Sequence, residues 1–298
     1  MLYFVITLIF FSSIEVVSKD LMNYLGPFEM TFIRFFIGLA GIVLYAVITG
    51  DIKDLKKPGI RDYGSYAVLG FINIFFSMTM LQYAIKYADP AVVALIISSN
   101  PIFVYIISLI MKHEILSYRK VSGFILGIIG LSAVLIKDFN SIRFETGALF
   151  ALAGAVSFAY FTILNRDAVA KYKPMTVNIG SFFFGLIFIM IYFLIKGSAD
   201  VSPVIFDSGI RVLKILYLGI FVTGISYITF LTAIKKMGPV ASSLIFLFKP
   251  AVAALLYYII ISQPVRANFY VGLMLSAAGS YLILKAKPSN KAEPECVK

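Results

Sequence analysis

Apolar residues run along this chain in long blocks rather than in alternation. The blocks fall at Leu2 to Ser18 and at about 28–48, 64–85, 91–111, 119–136, 146–164, 175–195, 212–234, 240–261 and 268–284. Each is close to the roughly 20 residues that a helix needs to cross hydrocarbon. Helix-stopping residues separate them: Gly26-Pro27, the charged stretch Asp51 to Asp62, Asp89-Pro90, Lys137 to Asn140, Lys173-Pro174, Ser198 to Gly209 and Gly238-Pro239. The pattern predicts an all-α membrane protein with ten transmembrane helices. Its first block carries Glu15 and lacks the basic start and small-x-small cleavage site of a signal peptide, so it reads as a retained span.

Composition sharpens this. Hydrophobic residues make up 60% of the chain and charged ones 14%, against about 45–50% and roughly 25% in soluble domains. The formal charge of +11 in a soluble protein points to nucleic acid. Here the basic residues are scattered over short loops, which makes no groove for a phosphate backbone, and they read instead as topology signals. With the N-terminus inside, Lys53, Lys56, Lys57, Arg61, Lys112, Arg119, Lys120, Arg166, Lys171, Lys173, Lys235, Lys236, Lys285 and Lys287 all fall on the cytoplasmic side. That side totals about sixteen basic residues against about eight outside. Both termini are therefore expected in the cytoplasm. No Asn-x-Ser/Thr acceptor occurs, which favours a prokaryotic inner (plasma) membrane over the secretory pathway. Cys296 is the single cysteine, so neither a disulfide framework nor a cysteine metal site is expected.

Sliding the chain on itself by about 149 residues pairs Leu69-Gly70 with Leu218-Gly219 and Ala84-Ile85-Lys86 with Ala233-Ile234-Lys235. In the same register Pro90 meets Pro239, Pro101 meets Pro250, Gly123 meets Gly272 and Gly130 meets Gly279. The chain thus reads as two five-helix repeats, residues 1–141 and 142–286, followed by a polar, Pro-punctuated tail over 287–298 that reads as disordered. Because five is odd, the second repeat crosses the membrane in the opposite sense to the first. Such inverted repeats around a central cavity belong to secondary transporters.

The chain also resembles the drug/metabolite transporter superfamily and, within it, the ten-helix EamA-type proteins, over about residues 1–285. The likeness rests on Phe11-Ser12-Ser13 followed by Lys19, on Pro27, on Arg34-Phe35, on Asn100-Pro101 followed by Glu114, and on Pro250 and the glycines of the tenth span. It implies export or exchange of small metabolites, typically amino acids, related organic solutes or drugs, often by proton or solute antiport. Two departures concern the ninth span, where Lys249 precedes the proline in place of the family's usual acidic residue, and Gln263 stands where an acidic residue usually ends that helix.

Intramembrane polar residues mark the candidate site. An ionised side chain at the middle of a span costs about 2.5–3.5 kcal/mol on insertion scales, so Lys249 needs a compensating gain. It reads either as a cavity residue attracting a carboxylate or as a structural ion pair or snorkelling side chain. Asn100 is its counterpart in the first half, and Asn100-Pro101 and Lys249-Pro250 form paired helix breaks, a pointer to a transporter's binding site. Ser98 and Ser99 add hydrogen-bonding groups. Glu15 and Arg34 read either as a proton-coupling carboxylate with its partner or substrate anchor, or as a static bridge between two helices. Lys19 reads as an interfacial charge. Asn73, Gln82, Asn178, Ser226 and Tyr227 are polar positions inside spans. Tyr160, Tyr227, Phe246 and Phe248 are candidate aromatic walls. His113 and Glu114 end the fourth span, Glu114 as a gate or coupling residue. Gly123-x-x-x-Gly127 and Gly272-x-x-x-Ser276 predict close packing of spans five and ten, within the bundle or as a dimer face.

The expected function is a secondary active transporter of small polar metabolites, an exporter or exchanger working by alternating access. Its partners are a small-molecule substrate, protons as coupling ion and the bilayer, without nucleic acid, in a monomer or homodimer. No cofactor and no metal are expected. Two rivals are a membrane-embedded enzyme, for which the chain has one histidine, one cysteine, no zinc spacing, no paired carboxylates on one intramembrane helix and no nucleotide loop, and a non-transporting scaffold.

Overall fold

A computed structural model of the chain describes residues 2–49, 58–88, 90–135, 146–197, 206–249, 252 and 267–286. Pro250, Gln263, most of the ninth span and the tail after residue 286 lie outside the described residues. The described chain is helical: α1 (Leu2–Phe11), α2 (Ile14–Leu21), α3 (Pro27–Ile48), α4 (Ile60–Gly70), α5 (Thr79–Tyr87), α6 (Pro90–Ser98), α7 (Asn100–Ile110), α8 (Tyr118–Leu135), α9 (Thr146–Lys171), α10 (Pro174–Lys196), α11 (Gly209–Tyr217), α12 (Ser226–Ser243) and α13 (Ala267–Lys285). Several join end to end, and seven stretches among the described residues are long and apolar enough to cross a membrane. The fold is the ten-helix membrane bundle of two repeats expected from the sequence. Gly238, with φ +80°, ends the eighth span, and Pro239 opens the ninth.

Interior departures from straight helices are what the apolar blocks hide. The first span breaks at Ser12 and Ser13, whose hydroxyls donate to the Leu8 carbonyl at 2.6 Å and the Phe10 carbonyl at 2.8 Å. Spans three and eight each contain an eight-residue π-helical segment, Phe71–Met78 and Leu218–Ile225. Side-chain hydroxyls reach back five residues there: Thr79 to the Ile74 carbonyl at 3.3 Å, Thr223 to Leu218 at 2.8 Å and Ser226 to Phe221 at 2.9 Å. Hydrophobic periodicity carries no mark of this wider winding, which is rare and concentrates at functional sites.

Glycines let the halves touch backbone to backbone. A Cβ built on Gly70 in α4 lies 2.6 Å from the Gly185 nitrogen in α10, and one built on Gly38 in α3 lies 3.1 Å from the Gly219 carbonyl oxygen. At the far side α8 packs along α13, where a Cβ on Gly123 falls 2.6 Å from the Gly279 carbonyl oxygen. Gly123 thus makes the close helix contact that its spacing predicts, with Gly279 as the partner.

Polar contacts define two faces of the bundle. On the face bearing Leu2 and Lys285, Asp62 at the start of α4 accepts from Lys171 Nζ at 2.7 Å and from the Tyr172 hydroxyl at 2.6 Å. On the opposite face Lys19 donates to the carbonyls of Ile85 (2.7 Å) and Ala88 (3.0 Å), capping α5, and Lys214 pairs with Asp20 at 2.6 Å. Lys19 is therefore a helix cap that ties the first span to the third.

Candidate functional site

The charged residues are brought inward by ordinary helical periodicity. In α2, Ile14, Glu15, Ser18 and Leu21 are buried while Val16 is exposed, so Glu15 lies on the packed stripe. In α3 the buried set Met30, Thr31, Arg34, Phe35, Gly38 and Ile42 recurs every three to four residues and carries Arg34 with it. Lys249 ends a helical stretch of the ninth span, residues 245–249, that follows a break at Leu244. Asn100 follows the break at Ser99 in the fourth span.

These elements surround a tight cavity of about 30 Å³, room for ordered water and well short of the roughly 300–1,000 Å³ typical of small-molecule sites. Arg34, Asn100, Tyr227 and Lys249 line it, together with Ser77 and an apolar wall that includes Phe11, Phe158 and Phe246. Both halves contribute. Lys249 forms a buried ion pair with Glu15, one charge from each half. Arg34 is fully buried, and its Nε donates to Thr223 Oγ1 at 3.3 Å in the π-helical segment of the eighth span. Its two terminal nitrogens, Nη1 and Nη2, have no hydrogen-bond partner among the described residues. Asn100 donates through Nδ2 to the Ala155 carbonyl at 2.8 Å, and its Oδ1 has no donor among the described residues. The Tyr227 hydroxyl donates to Asn73 Oδ1 at 3.2 Å.

The sequence-level expectations sort accordingly. Glu15 is paired with Lys249, and the static Glu15 to Arg34 bridge, one of the two readings of that set, is not formed. Asn73 stands behind Tyr227 as its acceptor rather than on the wall. Ser99 donates to the Ile96 carbonyl at 2.6 Å and holds the helix break next to Pro101. Glu114 is remote from this group and pairs with Lys120 at 2.5 Å across the turn between α7 and α8. Of the aromatic candidates, Tyr227 and Phe246 line the cavity. Phe248 instead packs edge-on against Phe4 with ring centres 6.2 Å apart, and Tyr160 is exposed. Gln82 and Asn178 are buried with neither amide atom partnered among the described residues.

Among the contributors that escaped sequence reasoning are Thr223, Ser77, Phe11 and Phe158. Phe11 and Phe158 were findable, because each belongs to a second register of the repeat, 147 residues apart (158 − 11 = 147), which also pairs Pro27 with Pro174 and Gly38 with Gly185. Thr223 had no signal beyond being a hydroxyl in a span.

The EamA-like transporter family matches residues 1–136 and again residues 145–285. An uncharacterized transporter of Clostridium kluyveri is 29% identical over 94% of this chain and 91% of its own length. Another, from Archaeoglobus fulgidus, is 25% identical over 90% of this chain and 92% of its own. An S-adenosylmethionine uptake transporter of Rickettsia prowazekii is 26% identical over 59% of this chain and 57% of its own. A crystal structure sharing 20% identity superposes with a TM-score of 0.76 over 94% of each chain, a likeness of fold. With two successive family matches that together span nearly the whole chain, the chain belongs to the EamA-like transporter family.

Proposed function

We propose that this transporter is a secondary active exporter or exchanger of a small polar metabolite, such as an amino acid or a related organic solute, working by alternating access. It sits in a prokaryotic inner membrane with both termini cytoplasmic, as two inverted repeats over residues 1–141 and 142–286. The observation that carries this reading is the cavity itself: it lies between the halves with Arg34, Asn100 and Lys249 at its wall, and it widens to admit a metabolite when the halves part.

The packing around the cavity supports a closed side. Phe11, Phe158, Phe230 and Phe246 form a layer with ring centres 5.5–6.1 Å apart. Phe230 is three residues beyond Tyr227 on α12, about 4.5 Å nearer the face that bears the termini. This layer therefore separates the cavity from the cytoplasmic face, and the Asp62, Lys171 and Tyr172 contacts brace the same side. Opening inward requires both to part. Glu15 is the coupling residue in this reading, and its partner Lys249 must move away to release it.

The test is counterflow in proteoliposomes, with labelled amino acids, organic acids, amines and S-adenosylmethionine offered outside against unlabelled solute inside. At least one solute is expected to accumulate transiently in exchange. No exchange of any member, by protein shown to be folded and inserted, is the outcome that defeats the reading.

A further inference from the structure

We infer that Arg34 is the substrate anchor and that the cavity is built for a carboxylate on an apolar body. This deepens the proposed function and rests on its reading of the cavity as the substrate site.

Charge at the site does not balance. Arg34 and Lys249 contribute two positive charges and Glu15 one negative, so one positive charge stays buried without a counter-ion among the described residues. The ion pair assigns the surplus to Arg34, since Glu15 is taken by Lys249. The geometry agrees, because Nη1 and Nη2 have no acceptor among the described residues, and so neither Glu15 nor Glu29 on the same helix takes a bond from them. Only Nε is committed, to Thr223, which leaves the outer edge of the guanidinium free. Two adjacent N–H groups in a fixed fork match the two oxygens of a carboxylate, a match that a lysine ammonium does not reproduce. The flanking ring of Phe35, 5.7 Å from Arg34 Cζ, is a weak substitute for an anion.

A buried charge held at such a cost needs a partner in the working cycle, and a carboxylate supplies it. Beyond the fork the wall is Phe11, Ile14, Phe158 and Phe246, which selects an apolar remainder. The free Oδ1 of Asn100 accepts a donor such as an ammonium group, so an amino acid fits but the ammonium is not required. Lys249, the more conspicuous cation in the sequence, serves to hold Glu15.

The experiment uses purified full-length protein and thermal shift with isovalerate, phenylacetate, leucine and phenylalanine, each beside its carboxamide. The acids are expected to raise the wild-type Tm and the amides not to. In Arg34→Gln the acid response should fall by at least about 30-fold in apparent affinity, the lower end for removing one partner of a buried charged hydrogen bond. Arg34→Lys should recover it only in part. Without ligand, Arg34→Gln should melt higher than wild type, because it removes the surplus charge. Amides that stabilise as well as acids, acid binding that survives in Arg34→Gln, or absence of any acid response overturns the inference. Counterflow of a solute indifferent to Arg34→Gln removes the anchor and leaves the transporter reading standing. Acid-specific binding through Arg34 with no counterflow does the reverse.

Discussion

The two halves of the bundle are near copies in their scaffold and unlike in their cavity chemistry. Pro27 and Pro174 open α3 and α10, and eleven residues on (38 − 27 = 185 − 174 = 11) Gly38 and Gly185 each approach a glycine of the other half, Gly219 and Gly70. The π-helical segments fall in matching spans. In the cavity the match ends. Seven residues past the prolines stand Arg34 and Ser181; four residues past Phe11 and Phe158 stand Glu15 and Thr162; Asn100 faces Lys249 in the repeat. The difference has a physical cause. Backbone contact between helices is required on both sides of the pseudo-axis, whereas the charges of a single central cavity can come from either half.

Charge removal should break that asymmetry most sharply. Losing one member of a buried ion pair costs about 3–5 kcal/mol, because the other is left unpaired. Glu15→Gln leaves Lys249 and Arg34 both without a carboxylate and takes the cavity from one surplus positive charge to two. Lys249→Met takes it to zero. Glu15→Gln is therefore expected near the top of that range and Lys249→Met well below it, with the double variant close to Lys249→Met. Thermal unfolding of the four proteins in one detergent tests the ordering, and equal losses for the two single variants would show that the net charge is not felt.

The scaffold, by contrast, should be sensitive in both halves, with a difference set by what each glycine faces. A methyl group at Gly70 meets the backbone nitrogen of Gly185 at 2.6 Å, which moves only if the helix moves. At Gly219 it meets the side chain of Ile37 at 2.5–2.6 Å, which can yield in part. Overpacking of this kind typically costs about 1–3 kcal/mol and occasionally more. Gly70→Ala is expected at about 3 kcal/mol and Gly219→Ala at about 1–2 kcal/mol, read from unfolding midpoints. The reverse order would mean that α3 is held more tightly than α10.

How much of this was legible follows from which physics leaves a sequence trace. Span length and polarity are one-dimensional, so the ten-helix reading needed only Leu2 to Ser18 and its successors. The repeat was visible because glycines and prolines have few substitutes at close contacts and helix starts. Arg34, Lys249, Glu15 and Asn100 stood out because charged or strongly polar groups are costly in lipid. Their pairing was not legible: Glu15 lies 19 residues from Arg34 (34 − 15) and 234 from Lys249, and only the packed bundle decides which cation it meets. The π-helical segments and the Ser12–Ser13 break were invisible for another reason. Serine and threonine are as common in straight membrane helices as in broken ones, and hydrophobic periodicity over eight residues does not separate windings of similar pitch.

Asn100 offers the gentlest probe, because it occupies the repeat position of Lys249 without its charge. Its one strong bond, from Nδ2 to the Ala155 carbonyl, ties the break in the fourth span to α9. A buried neutral hydrogen bond is worth about 0.5–1.5 kcal/mol net. Asn100→Ala also removes an unpartnered Oδ1, which offsets part of that loss, and Ala155 lies within α9, where helical N–H groups still serve its carbonyl. The expected cost is about 1 kcal/mol or less in unfolding, several times smaller than that of Glu15→Gln. The same variant should weaken leucine binding while leaving isovalerate unchanged, since only leucine carries an ammonium group for Oδ1 to accept. An equal loss for both acids would place Asn100 with the helix break rather than with the ligand.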